Sequence, residues 1–178
     1  MPPAIPRPQS GEYSPYYDRY LAAVPDGDVF QLLERGVEKL AILLDDLTEE
    51  QSRYRYAADK WTVKEVVVHM IDVERVFAYR ALRFSRNDTT PLPGFEQDDY
   101  VRESHAAERL LRELVQEYRA VRAATLALFR GMSDAMLERR GVANGAEMTV
   151  RAVPWIIVGH ERHHLEMLKQ RYLAGARD

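Results

Sequence analysis

The sequence predicts an all-α protein: a four-helix bundle preceded by a short N-terminal helix. Two observations favour this class. Four long segments repeat their apolar residues every three to four positions, as amphipathic helices do, and no segment sustains the apolar–polar alternation of a half-buried strand. A chain of 178 residues with 46% hydrophobic residues can bury one ordinary core. We therefore expect a single domain.

The N-terminal part contains a proline-rich lead and an aromatic segment. We expect residues 1–12 to form a flexible lead and residues 13–178 to form the domain. The segment YSPYYDRYLAAV spaces its tyrosines by three and four positions, which places three of them on one face of a short helix. Tyr16, Tyr17 and Tyr20 can form an aromatic cover over the core, and alternatively they can line a pocket.

The first two long helices carry start signals. Asp28 can cap a helix that continues to about Leu47. The sequence TVKE, from Thr62 to Glu65, fits a capping box and opens a helix to about Ser85. The following stretch, NDTTPLPGFEQDDYVRE, contains two prolines and a glycine, so it cannot be helical throughout. It is also long for a simple turn between two helices.

The last two long helices are predicted from weaker signals. Ser104 can cap a third helix that ends near Phe129. Thr149 can begin a fourth that continues to about Tyr172, with Pro154 five residues inside it, beyond the first turn, at a position that allows a mild bend. Four amphipathic helices in one small domain predict a bundle, with at least one connection long enough to cross over.

Composition excludes several classes of protein. The chain has no cysteine, which excludes disulfides, thiolate zinc sites and a catalytic thiol of its own. Its 25 basic and 28 acidic residues give no electrostatic footprint for nucleic acid. No apolar run is as long as a membrane span, and the first residues lack a signal-peptide pattern. We expect a cytoplasmic protein that binds neither nucleic acid nor a membrane.

Three histidines fall on apolar helix faces. His160 and His164 share one stripe of the fourth helix, and His69 lies on the stripe of the second. A single buried imidazole usually finds a backbone or hydroxyl partner, but three each need one, and an unpaired buried polar group costs about 1–3 kcal/mol. A divalent cation satisfies all three, and three histidines with an open position form a catalytic zinc geometry. The residues alone leave metal binding and a packed histidine core as alternatives.

The sequence HERHH, over residues 160–164, also fits the zinc-peptidase motif H-E-x-x-H. The 14 residues after His164 contain no histidine for a third ligand, and no strand is predicted that could bind a peptide, so we disfavour a peptidase. His160 and His163 are a possible alternative ligand pair. We prefer His160 with His164, and we expect His163 to lie beside the site as a pocket residue.

Two acidic residues are candidates for a catalytic role. Glu161 could accept a hydrogen bond from a ligand histidine or act as a base, and it could equally be solvated. Asp72 follows His69 by three positions and could orient an imidazole, or it could pair with Arg75 or Arg80.

Two blocks of sequence resemble the DinB/YfiT-like family. KWTVKEVVVHMIDVERVFAYRALRFSRNDTTPLPGFEQDDYV is similar to the central block of that family, and MTVRAVPWIIVGHERHHLEML to its C-terminal block. YSPYYDRYLAAVPDGD also resembles the N-terminal lead of the DinB-like subgroup, so the resemblance covers about residues 13–172. It implies an up-down-down-up bundle, often a homodimer, with a divalent metal ion held by His69, His160 and His164.

The resemblance leaves the chemistry open. Some members resemble thiol S-transferases that use bacillithiol, mycothiol or glutathione, one type resembles a mycothiol-dependent isomerase, and others are described as metal-dependent hydrolases. Since the chain has no thiol, our leading hypothesis is a transferase that adds a recruited low-molecular-weight thiol to an electrophilic small molecule. The alternatives are a metal-dependent hydrolase and a non-enzymatic, stress-related metal-binding protein. Three imidazoles suit zinc, nickel, iron or manganese.

Overall fold

A computed structural model describes residues 4–173 and confirms the all-α class. The longer elements follow in chain order: α1 (Asp18–Leu21), α2 (Val29–Leu44), α3 (Val63–Ser85), α4 (Gln97–Glu103), α5 (Leu111–Arg130), α6 (Asp134–Leu137), β1 (Arg140–Ala143), β2 (Ala146–Thr149) and α7 (Ala152–Met167). Short 3₁₀ turns lie at Pro15–Tyr17, Gln51–Arg53 and Ala106–Glu108, and a π-helical turn, Leu168–Leu173, extends α7. The long helices α2, α3, α5 and α7 form the bundle.

The two predicted start signals are confirmed. The Asp28 carboxylate accepts a hydrogen bond from the Phe30 N–H at 2.9 Å, which caps α2. At the start of α3, Thr62 and Glu65 form the complete capping box. The Thr62 N–H donates to the Glu65 carboxylate at 2.6 Å, and the Glu65 N–H donates to the Thr62 hydroxyl at 3.2 Å.

Contacts between helices give the direction of α2 relative to α5. Glu34, early in α2, pairs with Arg130 at the end of α5. Glu38, one turn later in α2, pairs with Arg119 in the middle of α5 at 2.8 Å. Residues further along α2 therefore meet residues earlier in α5, and the two helices are antiparallel.

Helices α3 and α5 run in the same direction. Lys64, at the start of α3, donates to the Arg109 carbonyl just before α5 at 2.6 Å, and Glu74 further along α3 pairs with Arg122 further along α5 at 2.8 Å. The connection over residues 86–110 is long enough to return the chain to the same end. The later part of α3, residues 73–84, packs in one core cluster with the start of α7, residues 152–158, whereas residues 63–71 pack with Leu165 and Leu168 at the other end of α7. Helix α7 is therefore antiparallel to α3, and the predicted up-down-down-up order with a long crossover is confirmed.

The third bundle helix begins later than we predicted. Ser104 ends α4 and does not cap a long helix: its hydroxyl donates to the Val101 carbonyl at 2.6 Å. His105 then has a positive φ of 51°, which breaks the helix. Helix α5 starts at Leu111, whose N–H donates to the Glu49 carboxylate at 2.9 Å. A side chain 62 residues earlier in the chain supplies this cap.

A short antiparallel hairpin, β1–β2, was not predicted. Its turn residues Asn144 and Gly145 have positive φ values of 51° and 73°, as a type I′ turn requires. The hairpin delays the fourth helix, which begins at Ala152 and not at Thr149; the Thr149 hydroxyl accepts from the Ala152 N–H at 3.3 Å. Pro154 is then the third helical residue, in the first turn, where its missing N–H removes no hydrogen bond within the helix.

The N-terminal lead differs from the flexible segment that we predicted. Residues 1–3 lie outside the described part of the chain, but residues 4–12 pack on the bundle. Ile5 is buried in the core, and its carbonyl accepts from the Trp155 indole N–H at 3.3 Å. The Glu12 carbonyl accepts from the Thr149 N–H at 2.9 Å. Within residues 4–173, no helix combines the length and apolar character that crossing a bilayer demands.

Candidate metal centre

Two bundle helices bring three imidazoles together, one from α3 and two from α7. The Nε2 atom of His160 lies 3.1 Å from the Nε2 atom of His69 and 3.1 Å from that of His164. All three nitrogens lie within 4.8 Å of one another. His160 and His164 are one turn apart, so both rings reach the same point from one helix.

Hydrogen bonding alone does not satisfy this arrangement. Each imidazole nitrogen carries either one hydrogen or one in-plane lone pair. His160 Nε2 therefore has one such position for two neighbouring nitrogens. Two nitrogen ligands at 2.0–2.1 Å from a tetrahedral ion are about 3.3 Å apart, close to the observed 3.1 Å. The three lone pairs fit a single divalent cation.

Burial keeps the three histidines in the form that binds metal. His69 and His164 are buried, while His160 is partly exposed. Burial, with a smaller contribution from His163, lowers the pKa of His69 to about 4. Burial and the neighbouring imidazoles also hold the pKa values of His160 and His164 well below their usual range. All three are neutral at pH 7, as metal ligation requires.

A second layer of aromatic side chains holds the imidazoles in place. The Trp61 ring lies 4.6 Å from the His69 ring, centroid to centroid, tilted by 43°. Tyr20 meets His160 edge-on at 5.6 Å and His163 at 5.4 Å. Sequence reasoning missed Trp61, although it directly precedes the capping box of the helix that carries His69.

A cavity of about 290 Å³ reaches the cluster at His160. Tyr16, Tyr17 and Tyr20 line it, together with apolar residues of α3 and α7. The structure therefore brings the three tyrosines and the metal-ligand candidates to one place. His163 lies apart from this cavity: it borders a separate surface depression with Arg19 and Arg162, although its ring is 5.1 Å from that of His164.

The two acidic candidates lie away from the cluster. Asp72 faces another side of α3, pairs with Arg75 at 3.6 Å, and borders a depression that the histidines do not line. Glu161 is buried, but its carboxylate accepts hydrogen bonds from Tyr118 at 2.7 Å and Arg122 at 2.6 Å. Neither acid hydrogen-bonds an imidazole, and the predicted roles as base or histidine partner are not supported by these positions.

Glu161 instead belongs to a buried ionic network that sequence reasoning missed. The Arg122 guanidinium binds Glu74 at 2.8 and 2.9 Å, Glu161 at 2.6 Å, and the Leu33 carbonyl. Burial lowers the pKa of Arg122, but Tyr118 and the two carboxylates outweigh this and hold it well above its usual value. The signal was Arg122 itself, a charge four positions after Tyr118 on the buried stripe of α5.

The fold and the site together define a class: a helical bundle with a three-histidine centre at the end of a cavity. Residues 32–168 match the model of the DinB superfamily, and the chain belongs to that family. This match confirms the resemblance to DinB/YfiT-like proteins that the sequence blocks indicate.

Among solved structures, the chain is similar to YfiT from Bacillus subtilis, described as a probable metal-dependent hydrolase with an unusual four-helix bundle topology. The TM-score is 0.71 over 93% of this chain and 90% of that chain, with 18% sequence identity. At this identity the likeness shows the fold. No curated protein matches the sequence.

Proposed function

We propose that the protein binds a divalent metal ion through His69, His160 and His164 and is a metal-dependent enzyme acting on a small molecule. The observation that carries this proposal is the convergence of three neutral Nε2 atoms at the end of a cavity. The DinB superfamily assignment and the description of YfiT as a probable metal-dependent hydrolase also support it.

The reaction that we favour is transfer of a low-molecular-weight thiol, such as bacillithiol, to an electrophile. When bound, a divalent ion supplies a Lewis acid that lowers the pKa of a coordinating thiol or water. The chain has no cysteine, so the thiol must come from outside. The two acids considered as catalytic groups, Asp72 and Glu161, are engaged elsewhere, which favours a nucleophile that needs neither of them as a base.

The remaining residues of the cavity bind and orient the reactants. Tyr16, Tyr17 and Tyr20 form an aromatic wall on one side, and Ile157 and Phe77 line the cavity beside them. This apolar lining excludes water from the reacting groups, which strengthens the electrostatic interactions inside the site. A cavity open to a small molecule also argues against a purely structural role for the ion.

Hydrolysis is the second candidate, and the YfiT description is the observation that favours it. The same histidines and the same cavity would serve a water nucleophile. The two reactions differ in one requirement: transfer needs an added thiol, whereas hydrolysis proceeds without one.

Metal analysis tests the site itself. Chelator-treated protein is titrated with zinc, nickel and manganese by calorimetry, and the bound metal is counted by mass spectrometry. We expect one ion per chain in the wild type and in His105→Ala, a control at an exposed histidine outside the cluster. His69→Ala and His164→Ala should lose tight binding. A wild type that binds none of these ions, or variants that bind as tightly as the wild type, would refute the site.

Activity measurements then separate the two reactions. Metal-loaded protein is supplied with bacillithiol, glutathione or mycothiol and a fluorogenic electrophile such as monochlorobimane, and in parallel with ester substrates and no thiol. Thiol-dependent turnover that His164→Ala abolishes supports transfer. Thiol-independent turnover supports hydrolysis, and no turnover in either series counts against an enzyme. The homodimer implied by the family resemblance stays a prediction, which light scattering tests.

A further inference from the structure

Arg80 is a buried cation without an acidic partner. It lies on α3 and is 4% exposed. In the described part of the chain, no carboxylate oxygen lies within the 4.0 Å ion-pair distance of its guanidinium, and its hydrogen bond to the Pro93 carbonyl is long, at 3.4 Å. Arg122, the other arginine buried to this degree, binds two carboxylates. The fold neutralises one of these charges and leaves the other free.

An unpaired charge inside a protein is unfavourable, because its lost hydration is not replaced. The Arg80 guanidinium stacks on the Phe77 ring, 5.1 Å from its centroid, and lies beside the Tyr17 phenol. These contacts orient the cation but provide no negative charge. A guanidinium has five N–H donors; the Pro93 carbonyl accepts from one of them, and the Tyr17 hydroxyl is a second partner. The remaining donors are available to a ligand.

The free donors face the cavity that leads to the histidines. Arg80 and His160 both line this cavity, and Val73 and Phe77 form apolar wall between them. Arg80 lies 11 residues after His69 on the same helix, about 16 Å along its axis. The one carboxylate among the lining residues, Glu96, is exposed at the rim. The Arg80 guanidinium and the imidazole cluster therefore lie at two separate positions along one cavity, with apolar side chains between them.

We infer that Arg80 docks an oxyanion group, a carboxylate or a phosphate, of a small molecule whose apolar middle fills the cavity and whose other end reaches the histidine cluster. Planar guanidinium donors match both oxyanions in paired hydrogen bonds. The part of this inference that concerns the reacting end rests on the proposed function. The docking at Arg80 rests on the cavity and its charges, and it stands without a metal ion.

The test uses metal-free full-length protein, so that it does not depend on metal binding. Calorimetry compares 3-phenylpropionate and 2-phenylethyl phosphate with the neutral 3-phenyl-1-propanol. We expect the wild type to bind at least one anion more tightly than the alcohol, and the two anions to show which oxyanion is preferred. Arg80→Gln should weaken binding of that anion roughly 10- to 100-fold, as expected for loss of charged hydrogen bonds, and should leave binding of the alcohol unchanged.

Three further variants separate docking from a structural role. Arg83→Gln removes a cation of the same helix that pairs with Asp88, and it should bind the anion as the wild type does. Arg80→Lys keeps the charge but loses the planar pair of donors, so it should bind the anion several-fold more weakly than the wild type and more tightly than Arg80→Gln. Glu96→Gln removes the acid of the rim and should strengthen anion binding. Circular dichroism checks that each variant is folded.

Several results would overturn the inference. The inference is wrong if the wild type binds neither anion, or binds the anions no more tightly than the alcohol. It is also wrong if Arg80→Gln binds the anion as tightly as the wild type does. If Arg80→Gln does not fold, equal anion affinities in Arg80→Lys, Glu96→Gln and the wild type would decide against docking, since neither the loss of the paired guanidinium donors nor the loss of the acid at the rim would then matter. Loss of metal binding with intact anion binding would refute the proposed function alone.

Discussion

Replacing Gly36 tests whether the buried ionic network holds α7 in place. Gly36 lies on α2, where a methyl group would meet the Glu161 carboxylate: the added Cβ would be 1.5 Å from Oε1 and 2.5 Å from Cδ. Atoms cannot approach this closely, so Gly36→Ala must displace the carboxylate. Displacement breaks its hydrogen bonds from Tyr118 at 2.7 Å and Arg122 at 2.6 Å.

The magnitude follows from these two bonds. A hydrogen bond to a charged group contributes about 1.5–3 kcal/mol, so two contribute about 3–6 kcal/mol. Glu161 and Arg122 are each 1% exposed, so water does not screen the interaction. Alanine favours the helix over glycine by about 1 kcal/mol. We therefore expect Gly36→Ala to lower the free energy of unfolding by roughly 2–5 kcal/mol, a large share of the total stability of an ordinary domain.

Urea denaturation of the metal-free protein, followed by circular dichroism, measures this loss. Gly131→Ala is the matched control, because its Cβ would make ordinary contacts at 3.6 Å. In a Glu161→Ala background the obstacle is absent, so adding Gly36→Ala should cost nothing further. The reasoning is wrong if Gly36→Ala is as stable as the wild type, or if its cost persists when Glu161 is alanine.

Two other predictions concern buried charge. Burial lowers the pKa of His69 to about 4 and lowers the pKa values of His160 and His164 as well. As the pH falls, these histidines therefore take up protons in the unfolded chain before they do so in the folded protein. The metal-free protein should lose stability between about pH 6.5 and pH 4, by up to about 1.4 kcal/mol per pH unit for each histidine. Urea denaturation across this range checks it, and His69→Ala should show a shallower slope. Arg122→Met should destabilise the protein by about 3–5 kcal/mol, because it leaves two buried carboxylates unpaired. Arg80→Met should not destabilise it in this way, because Arg80 has no carboxylate partner among residues 4–173. Thermal denaturation compares the two variants, and equal losses of stability would contradict the conclusion that Arg80 is unpaired.

The features that could be predicted from the sequence are those that residues close together in the chain determine. The caps at Asp28 and Thr62 each use a partner two or three residues away, so their signals lie within one short segment. The three histidines were found because helical periodicity shows which residues face inward. That they meet at one point follows from the packing of α3 against α7, which periodicity does not give.

The errors arose where distant contacts decide the structure. The cap of α5 comes from Glu49, and no residue near Leu111 indicates it. The ionic role of Glu161 depends on Arg122 from another helix. The hairpin is a different case: Asn144–Gly145 is a strong turn signal, but each strand has four residues, too few to show alternation clearly.

The two faces of α7 explain why a small bundle tolerates so many buried polar groups. His160 and His164 face α3, while Glu161, next in the chain, faces α2 and α5, where Gly36 leaves room for its carboxylate. A residue advance of 100° separates these faces. On the network side, Arg122 and Tyr118 bind the Glu161 carboxylate and hold this face of α7 against α5. Among the residues that the structure describes, the histidine cluster and Arg80 have no acidic partner, and the cavity lined by Arg80 reaches the cluster at His160. A metal ion at the imidazoles and an anionic small molecule at Arg80 would therefore complete the two polar features that this cavity connects.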